Sequence, residues 1–409
     1  MTHLLKKSPL ACAIGACLLM SVAPAMAADG DVEQRIQSLE QEIQSLKSQV
    51  SQGGSSAGAP VKAAKSSSLT FGGYLKADYR NVSGDLAYQD YWRGNNPGEK
   101  DTNHTGFNVK ETRLNSTYTN GDVKAFVEMD FYGGDGNEVA TNSTNPRLRH
   151  AFIQYKNWMV GQYWSTFTPA MTFPDALDFG GPIVAEVFVR QPQIRYTIGG
   201  FSIALENPET WGDGQVDGNS AGGGASGVDA DEAFPDVVAT YKFGGDWGSI
   251  QVGALVRQID SDTNAGGAAD DELSETTVAA NIGGLIKIGS KDDLRFQVNV
   301  GESGRYVGAG MVGDIVVDPD TGDLEVEETV AANVSYRHFW NADWRSTVYY
   351  GIAQTDVTEL ERAHAGVNLI RQLTPDLSVG VEVGNFAVND DNGTDADSNY
   401  FQMSWKYNL

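Results

Sequence analysis

Val123-Lys124-Ala125-Phe126-Val127-Glu128-Met129-Asp130-Phe131 is apolar at every odd position and charged at three of its four even ones. Side chains alternate along a strand, so this pattern lays an apolar row on one face of a sheet and a charged row on the other. Leu294-Arg295-Phe296-Gln297-Val298-Asn299-Val300 repeats the pattern with its apolar residues at even positions. The last residues repeat it again, Phe401, Met403, Trp405, Tyr407 and Leu409 against Gln402, Ser404, Lys406 and Asn408. Working outward from these, about sixteen alternating segments can be placed by periodicity. They start near residues 70, 108, 122, 146, 158, 184, 200, 235, 247, 275, 292, 328, 343, 359, 375 and 398.

The connections come in two kinds. Asn120-Gly121, Lys156-Asn157, Gly199-Gly200, Gly244-Gly245-Asp246, Gly289-Ser290-Lys291, Asn341-Ala342 and Thr374-Pro375 are tight turns, whereas 208–234, 260–274 and 304–327 are long and polar. An even number of strands with short turns at one end and long loops at the other predicts an all-β, transmembrane antiparallel barrel of about sixteen strands over 69–409. A soluble two-sheet sandwich would also alternate, but it would turn its apolar faces into a core. Here the apolar face carries Phe71, Tyr118, Tyr196, Phe201, Phe243, Trp344 and Tyr407 near the short-turn ends, the arrangement of an interfacial girdle. The opposite face is too charged to be a core.

The N-terminal segment follows other rules. Lys6 and Lys7 precede an apolar run from Leu10 to Val22 and the small-residue site Ala25-Met26-Ala27, so residues 1–27 read as a signal peptide. A lipoprotein signal ending at Cys17 competes less well, because apolar Leu18-Leu19-Met20 continues past that cysteine. Both cysteines fall in this segment, so a chain cleaved after Ala27 has no disulfide to form. Val32, Ile36, Leu39, Ile43, Leu46 and Val50 then follow at heptad spacing, which predicts a short coiled-coil helix over 28–50. Ile at a with Leu at d leans towards a dimer on core shape alone. So few turns are marginal without partner chains. An amphipathic helix packed on the same chain is the alternative. Residues 51–68 are mostly Gly, Ser and Ala with one Pro, a flexible tether.

The formal charge is −25 over 409 residues, and loss of Lys6 and Lys7 leaves 27 basic against 54 acidic groups. Such acidity excludes a nucleic-acid partner, which needs a basic footprint. The charge is segregated, however. Glu209, Asp213, Asp217, Asp229, Asp231 and Glu232 crowd one long loop, and Asp390, Asp391, Asp395 and Asp397 another. On alternation, Lys76, Arg80, Arg113, Lys124, Arg147, Arg149, Arg195, Lys242, Arg257, Arg295, Arg337, Arg345, Arg362 and Lys406 face the lumen, with fewer acids, Asp78, Glu111, Glu128, Asp130, Glu206, Asp236 and Glu382. A basic ring in a narrow pore lowers the barrier for anions. Ion pairing across the wall is the competing role for these arginines.

The connection 165–186 differs from the other long loops. It holds three prolines, apolar anchors and only two acids before Glu186. Such a loop is able to pack against an inner wall. That would put Phe167, Phe173, Asp175 and Asp178 at a constriction, with Arg113, Arg149, Arg190 and Arg195 near its base. An outward loop packed on a neighbouring subunit is the alternative.

Arg147-Leu148-Arg149-His150-Ala151-Phe152-Ile153-Gln154-Tyr155-Lys156-Asn157-Trp158-Met159-Val160-Gly161-Gln162-Tyr163-Trp164-Ser165-Thr166-Phe167 is the most specific stretch of the chain. It resembles the paired strands that lead into the constriction loop of the DcaP-like trimeric outer-membrane porins. The layout of signal peptide, heptad helix, tether and barrel is similar to theirs as well. The resemblance implies a homotrimer in the outer membrane of a Gram-negative bacterium, its helices forming a periplasmic coiled coil, and uptake of small dicarboxylate-type anions. We take the trimer over the dimer, because three barrels round an axis would dictate the helix number. Expected partners are small anionic solutes, outer-membrane lipid and lipopolysaccharide, and further copies of the chain.

Two function classes follow: a porin for small anions, with a phosphate-selective porin as runner-up, and a surface adhesion barrel with a plugged lumen. An enzyme is not expected, since no nucleophile-base pair is visible and no P-loop occurs. No cofactor or metal is expected either. His3, His104, His150, His338 and His364 lack metal spacing, and in Asp318-Pro319-Asp320-Thr321-Gly322-Asp323 the glycine falls one place early for a calcium loop.

Overall fold

The computed structural model describes residues 67–88, 92, 101–134, 141–178, 185–210, 233–261, 273–307, 313–390 and 394–409. The signal peptide, the heptad helix, residues 51–66 of the tether and Asp213, Asp217, Asp229, Asp231, Glu232 and Asp391 of the acidic segments lie outside them, whereas Asp390, Asp395 and Asp397 fall in strands and not in the expected long loop.

The strands are β1 Ser67–Gly84, β2 in two halves, Thr102–Asn108 and Arg113–Asn120, β3 Val123–Asp130, β4 Arg147–Tyr155, β5 Trp158–Trp164, β6 Arg190–Ile198, β7 Phe201–Glu206 and β8 Asp236–Gly245. They continue as β9 Gly248–Ser261, β10 Leu273–Ile288, β11 Asp292–Gly301, β12 Thr329–Phe339, β13 Trp344–Thr355, β14 Glu361–Gln372, β15 Leu377–Asp390 and β16 Thr394–Asn408. Each pairs antiparallel with its sequence neighbour, and β1 pairs with β16 from Tyr74↔Asn408 to Gly84↔Ser398. The sheet therefore closes into a sixteen-stranded barrel. Closure removes every strand edge, so the wall has no row of unpaired backbone groups. Among the described residues no helix is long and apolar enough to cross a membrane. The outer face carries the apolar row: Phe71, Phe107, Tyr118, Val278, Val348 and Tyr407 are all exposed. That is the lipid-facing surface of such a wall.

Alternation breaks at informative places. β2 begins at Thr102, earlier than the expected 108, and stops over 109–112 before resuming at Arg113, with both halves paired to β1. The break turns Glu111 towards Lys76. β1 begins at Ser67, two residues inside the expected tether. In β4 the register shifts opposite Glu128 and Met129, so Glu128 faces His150 while Arg149 is the extra residue. Such a bulge re-aims side chains. Arg147, Arg149, His150 and Phe152 consequently share the inner side, where strict alternation would have placed Ala151. β6 begins at Arg190 instead of near 184, because 185–189 belongs to the preceding loop and Val187 bridges Val307.

Candidate functional site: the lumen and its inward loop

The segment between β5 and β6 enters the barrel and follows its inner wall. Gln251 of β9 donates to the Thr166 carbonyl, and Asn281 of β10 to that of Phe167 at 2.6 Å. Thr172, in a 3-10 turn Ala170–Thr172, donates to Gln297 of β11, and Arg295 reaches the Phe173 carbonyl. Asp175 accepts from Arg345 of β13 at 2.6 Å, and its carbonyl from Asn368 of β14. Glu382 of β15 accepts the backbone N–H groups of Leu177 (2.7 Å) and Asp178 (2.9 Å). Lys76 of β1 and Gln402 of β16 both donate to the Leu177 carbonyl, and Arg80 pairs with Asp178. The loop is thus tied in sequence from β9 round to β1.

Inner-wall glycines make room for it. A Cβ on Gly283 would lie 2.7 Å and 2.9 Å from Pro169 ring carbons, one on Gly253 would meet Phe167 at 3.1 Å, and one on Gly380 would meet Leu177 at 3.0 Å. Phe167 is fully buried against Tyr306, ring centroids 6.0 Å apart.

Two other connections enter as well. Trp92, after β1, is buried, stacks on Phe386 at 5.0 Å and donates to Asp178. After β11 the turn Gly304–Tyr306 sends the Tyr306 hydroxyl to Asp236 at 2.7 Å, and Arg257 holds Asp314. Composition alone predicts a long polar loop over 304–327. Its first turn instead lies inside, because Asp236, Arg257 and Asp314 satisfy one another there.

Buried charge sets the loop's electrostatics. Burial alone would push the Asp178 carboxyl up, but the charges of Arg80 and His364 and hydrogen bonds from Arg80 and Trp92 outweigh it and hold it below the usual range. Asp175 behaves likewise, lowered by Arg345, Arg337 and Arg295 against the burial penalty. Glu186 is the opposite case. It is fully buried, both side-chain oxygens lack partners among the described residues, and burial with only Arg295 opposing raises its pKa well above the ordinary value.

The loop leaves the inner wall of β2 to β4 and the lower part of β6 uncovered by the bonds above. This arc carries Arg113, Lys124, Arg147, Arg149, Arg190 and Arg195 against Glu111, Glu128 and Asp130. Arg147 and Arg149 share Asp130 at 2.7 and 3.0 Å, and Arg149 also holds Glu128. Arg113, Lys124, Arg190 and Arg195 form no ion pair among the described residues. Arg113 lies 5.3 Å from the Tyr74 ring and Arg190 5.4 Å from Trp164. The Nε of Arg113 and the Nη1 of Arg190 are buried with no hydrogen-bond partner among the described residues. Cations thus outnumber carboxylates along the uncovered arc.

A family model, the DcaP outer membrane protein, matches residues 102–360. The chain belongs to the DcaP outer membrane protein family. The outer membrane channel DcaP of Acinetobacter baumannii has a similar structure: TM-score 0.69 at 21% identity, covering 87% of this chain and 100% of that one. An anion-selective porin from Comamonas acidovorans gives a TM-score of 0.54 at 12% identity, covering 84% of this chain and 100% of that one. OmpF of Salmonella typhi, in complex with daunomycin, gives 0.51 at 14%, covering 83% and 97%. No functionally curated protein matches this sequence. Family and fold together make this an outer-membrane porin-type channel protein.

Within this DcaP-family barrel the residues anticipated from the sequence separate into groups. Lys76, Arg80 and Arg149 are buried and ion-paired with Glu111, Asp178 and Glu128. Arg337 is held by Asp293 at 2.5 Å and Arg257 by Asp236 and Asp314. For these the ion-pairing alternative is the role the geometry displays. Phe167 and Asp178 lie in the inward loop but pack against the wall and turn away from the passage. Phe173 packs on Trp164 and Phe188, and Asp175 sits between Arg337 and Arg345. Arg113, Lys124, Arg147, Arg190 and Arg195 keep exposed or half-exposed side chains on the arc. Sequence reasoning missed Trp92, Tyr306 and the cluster in which Tyr349, Tyr400 and His364 surround Glu382 and Asp178. Tyr349 and Tyr400 sat in the inward register, and inward Gly366 and Gly384 make way for their rings, which a Cβ there would meet at 2.4 Å. That pairing of inward aromatics with inward glycines was the available signal.

Proposed function

We propose that the barrel is a channel for small anions, with dicarboxylates as the favoured solutes, working as a homotrimer whose N-terminal helices join in the periplasm. The observation that carries this reading is the arc between β2 and β6. Among the described residues Arg113, Arg190 and Arg195 form no ion pair with a carboxylate, and the inward loop fills the other side of the barrel. A guanidinium stays charged at any physiological pH and meets a carboxylate with two parallel bonds. Several such groups along one wall let a dianion gain one contact as it releases another, provided that each is weak. One contact contributes roughly 0.5–1.5 kcal/mol net, as for a typical hydrogen bond. The protein's overall acidity does not oppose this, since the charge along the path governs permeation. The description of the Comamonas porin as anion-selective supports the reading by analogy of fold.

The test is reversal potential in a planar bilayer, first for chloride and then for succinate. The wild type is expected to prefer anions, and each single Arg→Ala change at 113, 190 or 195 to cost a few-fold in preference. The triple variant should approach neutrality. A wild-type pore that prefers potassium overturns the reading. A barrel with no conductance points to the plugged adhesion form instead.

A further inference from the structure

Beside the first limb of the inward loop lies a recess of about 190 Å³. Ser165 to Met171 form one side of it and strands β5 to β9 the other. Two cations, Arg195 and Lys242, reach its lining, and no carboxylate lines it. Arg195 is fixed in place: its Nε donates to Gln193 at 2.8 Å and its Nη2 to the Trp164 carbonyl at 2.6 Å. Those bonds orient the guanidinium, and its other N–H groups meet no acceptor among the described residues. Glu206, on the neighbouring strand, is occupied by the Thr166 backbone N–H at 2.6 Å and the Tyr306 hydroxyl. Thr168 also lines the recess. It is only 6% exposed, and its hydroxyl has no partner among the described residues. A buried hydroxyl left unpaired in a native fold calls for an explanation.

The rest of the lining is mixed, with Tyr163, Trp164, Ala170 and Met171 beside the polar Ser165, Thr166, Ser202, Thr240 and Gln251. Trp164 is held by Phe173 at 5.3 Å and Phe188 at 4.8 Å, and Tyr163 lies beside the Arg195 guanidinium at 5.8 Å. A bare inorganic anion would satisfy the cations but make no contact with the ring surface that Trp164 and Tyr163 present to the recess. A neutral aromatic would cover the rings but leave the cations and Thr168 unmatched. Size agrees with a ligand that does both: an engineered apolar cavity of about 150 Å³ takes benzene, and the extra room suits a carboxylate.

We propose that this recess is a binding subsite for a small aromatic carboxylate, with the carboxylate on Arg195, Lys242 and Thr168 and the ring against Trp164 and Tyr163. The inference rests on the anion-channel reading and names a ligand class and a place for it. Lys242 stands near the Asp246–Trp247 turn, so the subsite is on the short-turn side of the inward loop. A solute that has passed the Arg113 stretch would meet it before leaving.

The experiment titrates the purified full-length barrel in detergent by calorimetry with benzoate, acetate and benzyl alcohol. Benzoate is expected to bind saturably, and acetate and benzyl alcohol about tenfold more weakly, since each lacks one half of the match. Thr168→Val, nearly isosteric, and Lys242→Gln should each weaken benzoate roughly three- to tenfold, the loss of one contact. Equal affinity for benzoate and acetate overturns the proposal, as does wild-type benzoate affinity in both variants. Reversal potential of the same preparation in a potassium chloride gradient separates the two readings. An anion-selective pore without benzoate preference sinks the subsite alone. A cation-selective pore that still binds benzoate through Thr168 and Lys242 sinks the channel reading and upholds the subsite.

Discussion

Gly283→Ala should narrow the channel without unfolding it. Gly283 is on the inner face of β10, opposite Gln251 and Gln297. A methyl there would approach Pro169 carbons at 2.7 and 2.9 Å and the Thr172 methyl at 2.9 Å. Carbon atoms prefer about 3.5–4.0 Å, so the turn must retreat by about 1 Å. The wall cannot yield, because Gly283 is bonded into strands on both sides, and the only direction left to the loop is towards the barrel axis. Overpacking of this kind costs about 1–3 kcal/mol. The loop's other attachments, at Asn281, Gln297, Arg345, Asn368 and Glu382, contribute about 0.5–1.5 kcal/mol each and together exceed that cost. The loop should therefore stay attached and shift locally. Single-channel conductance is expected to fall, while the thermal transition of the barrel stays within a few degrees of wild type. A rise in conductance would mean that this one seat held the loop in place. Unchanged conductance would mean that Pro169 does not occupy the seat.

Three further predictions address the loop's tether, the assembly and the topology. Asp178→Asn leaves buried Arg80 without its counter-charge, a loss of about 3–5 kcal/mol, and should make single-channel currents noisy at neutral pH. Because the folded Asp178 pKa is depressed, its stabilisation is complete above the ordinary carboxylate value of about 4 and is lost as pH falls through the lower folded value. Wild type should then become noisy only in strong acid, and a variant as quiet as wild type at neutral pH would refute the tether. Replacing Ile36, Leu39 and Ile43 with Asp should lower helicity while leaving the barrel oligomer intact; unchanged helicity would rule out a heptad seam. A cysteine at exposed Asp320 should react with an impermeant maleimide on whole cells, and one at Gly245 only after the outer membrane is permeabilised. The reverse pattern would invert the predicted orientation.

Strand number, turn positions and the two faces of the wall were legible in the sequence, because each depends on a period of two and on local turn chemistry. The starts expected near 158, 235, 247, 292, 328 and 343 fall within one residue of those observed. The inward path of the β5–β6 loop was legible for a similar reason: proline, apolar anchors and few acids are properties of the segment itself. The interruption at 109–112 and the bulge at Arg149 were not, since one extra residue changes a register only relative to the partner strand. Which arginines are neutralised was not legible either. Arg80 meets Asp178 across 98 positions, and Arg345 meets Asp175 across 170. Alternation puts a side chain in the lumen, but only closure of the barrel and the course of the loop decide whether a carboxylate waits there. For that reason Arg149, prominent in sequence, is buried in an ion pair, whereas Arg113, Arg190 and Arg195, on the arc that the loop leaves open, form no ion pair among the described residues.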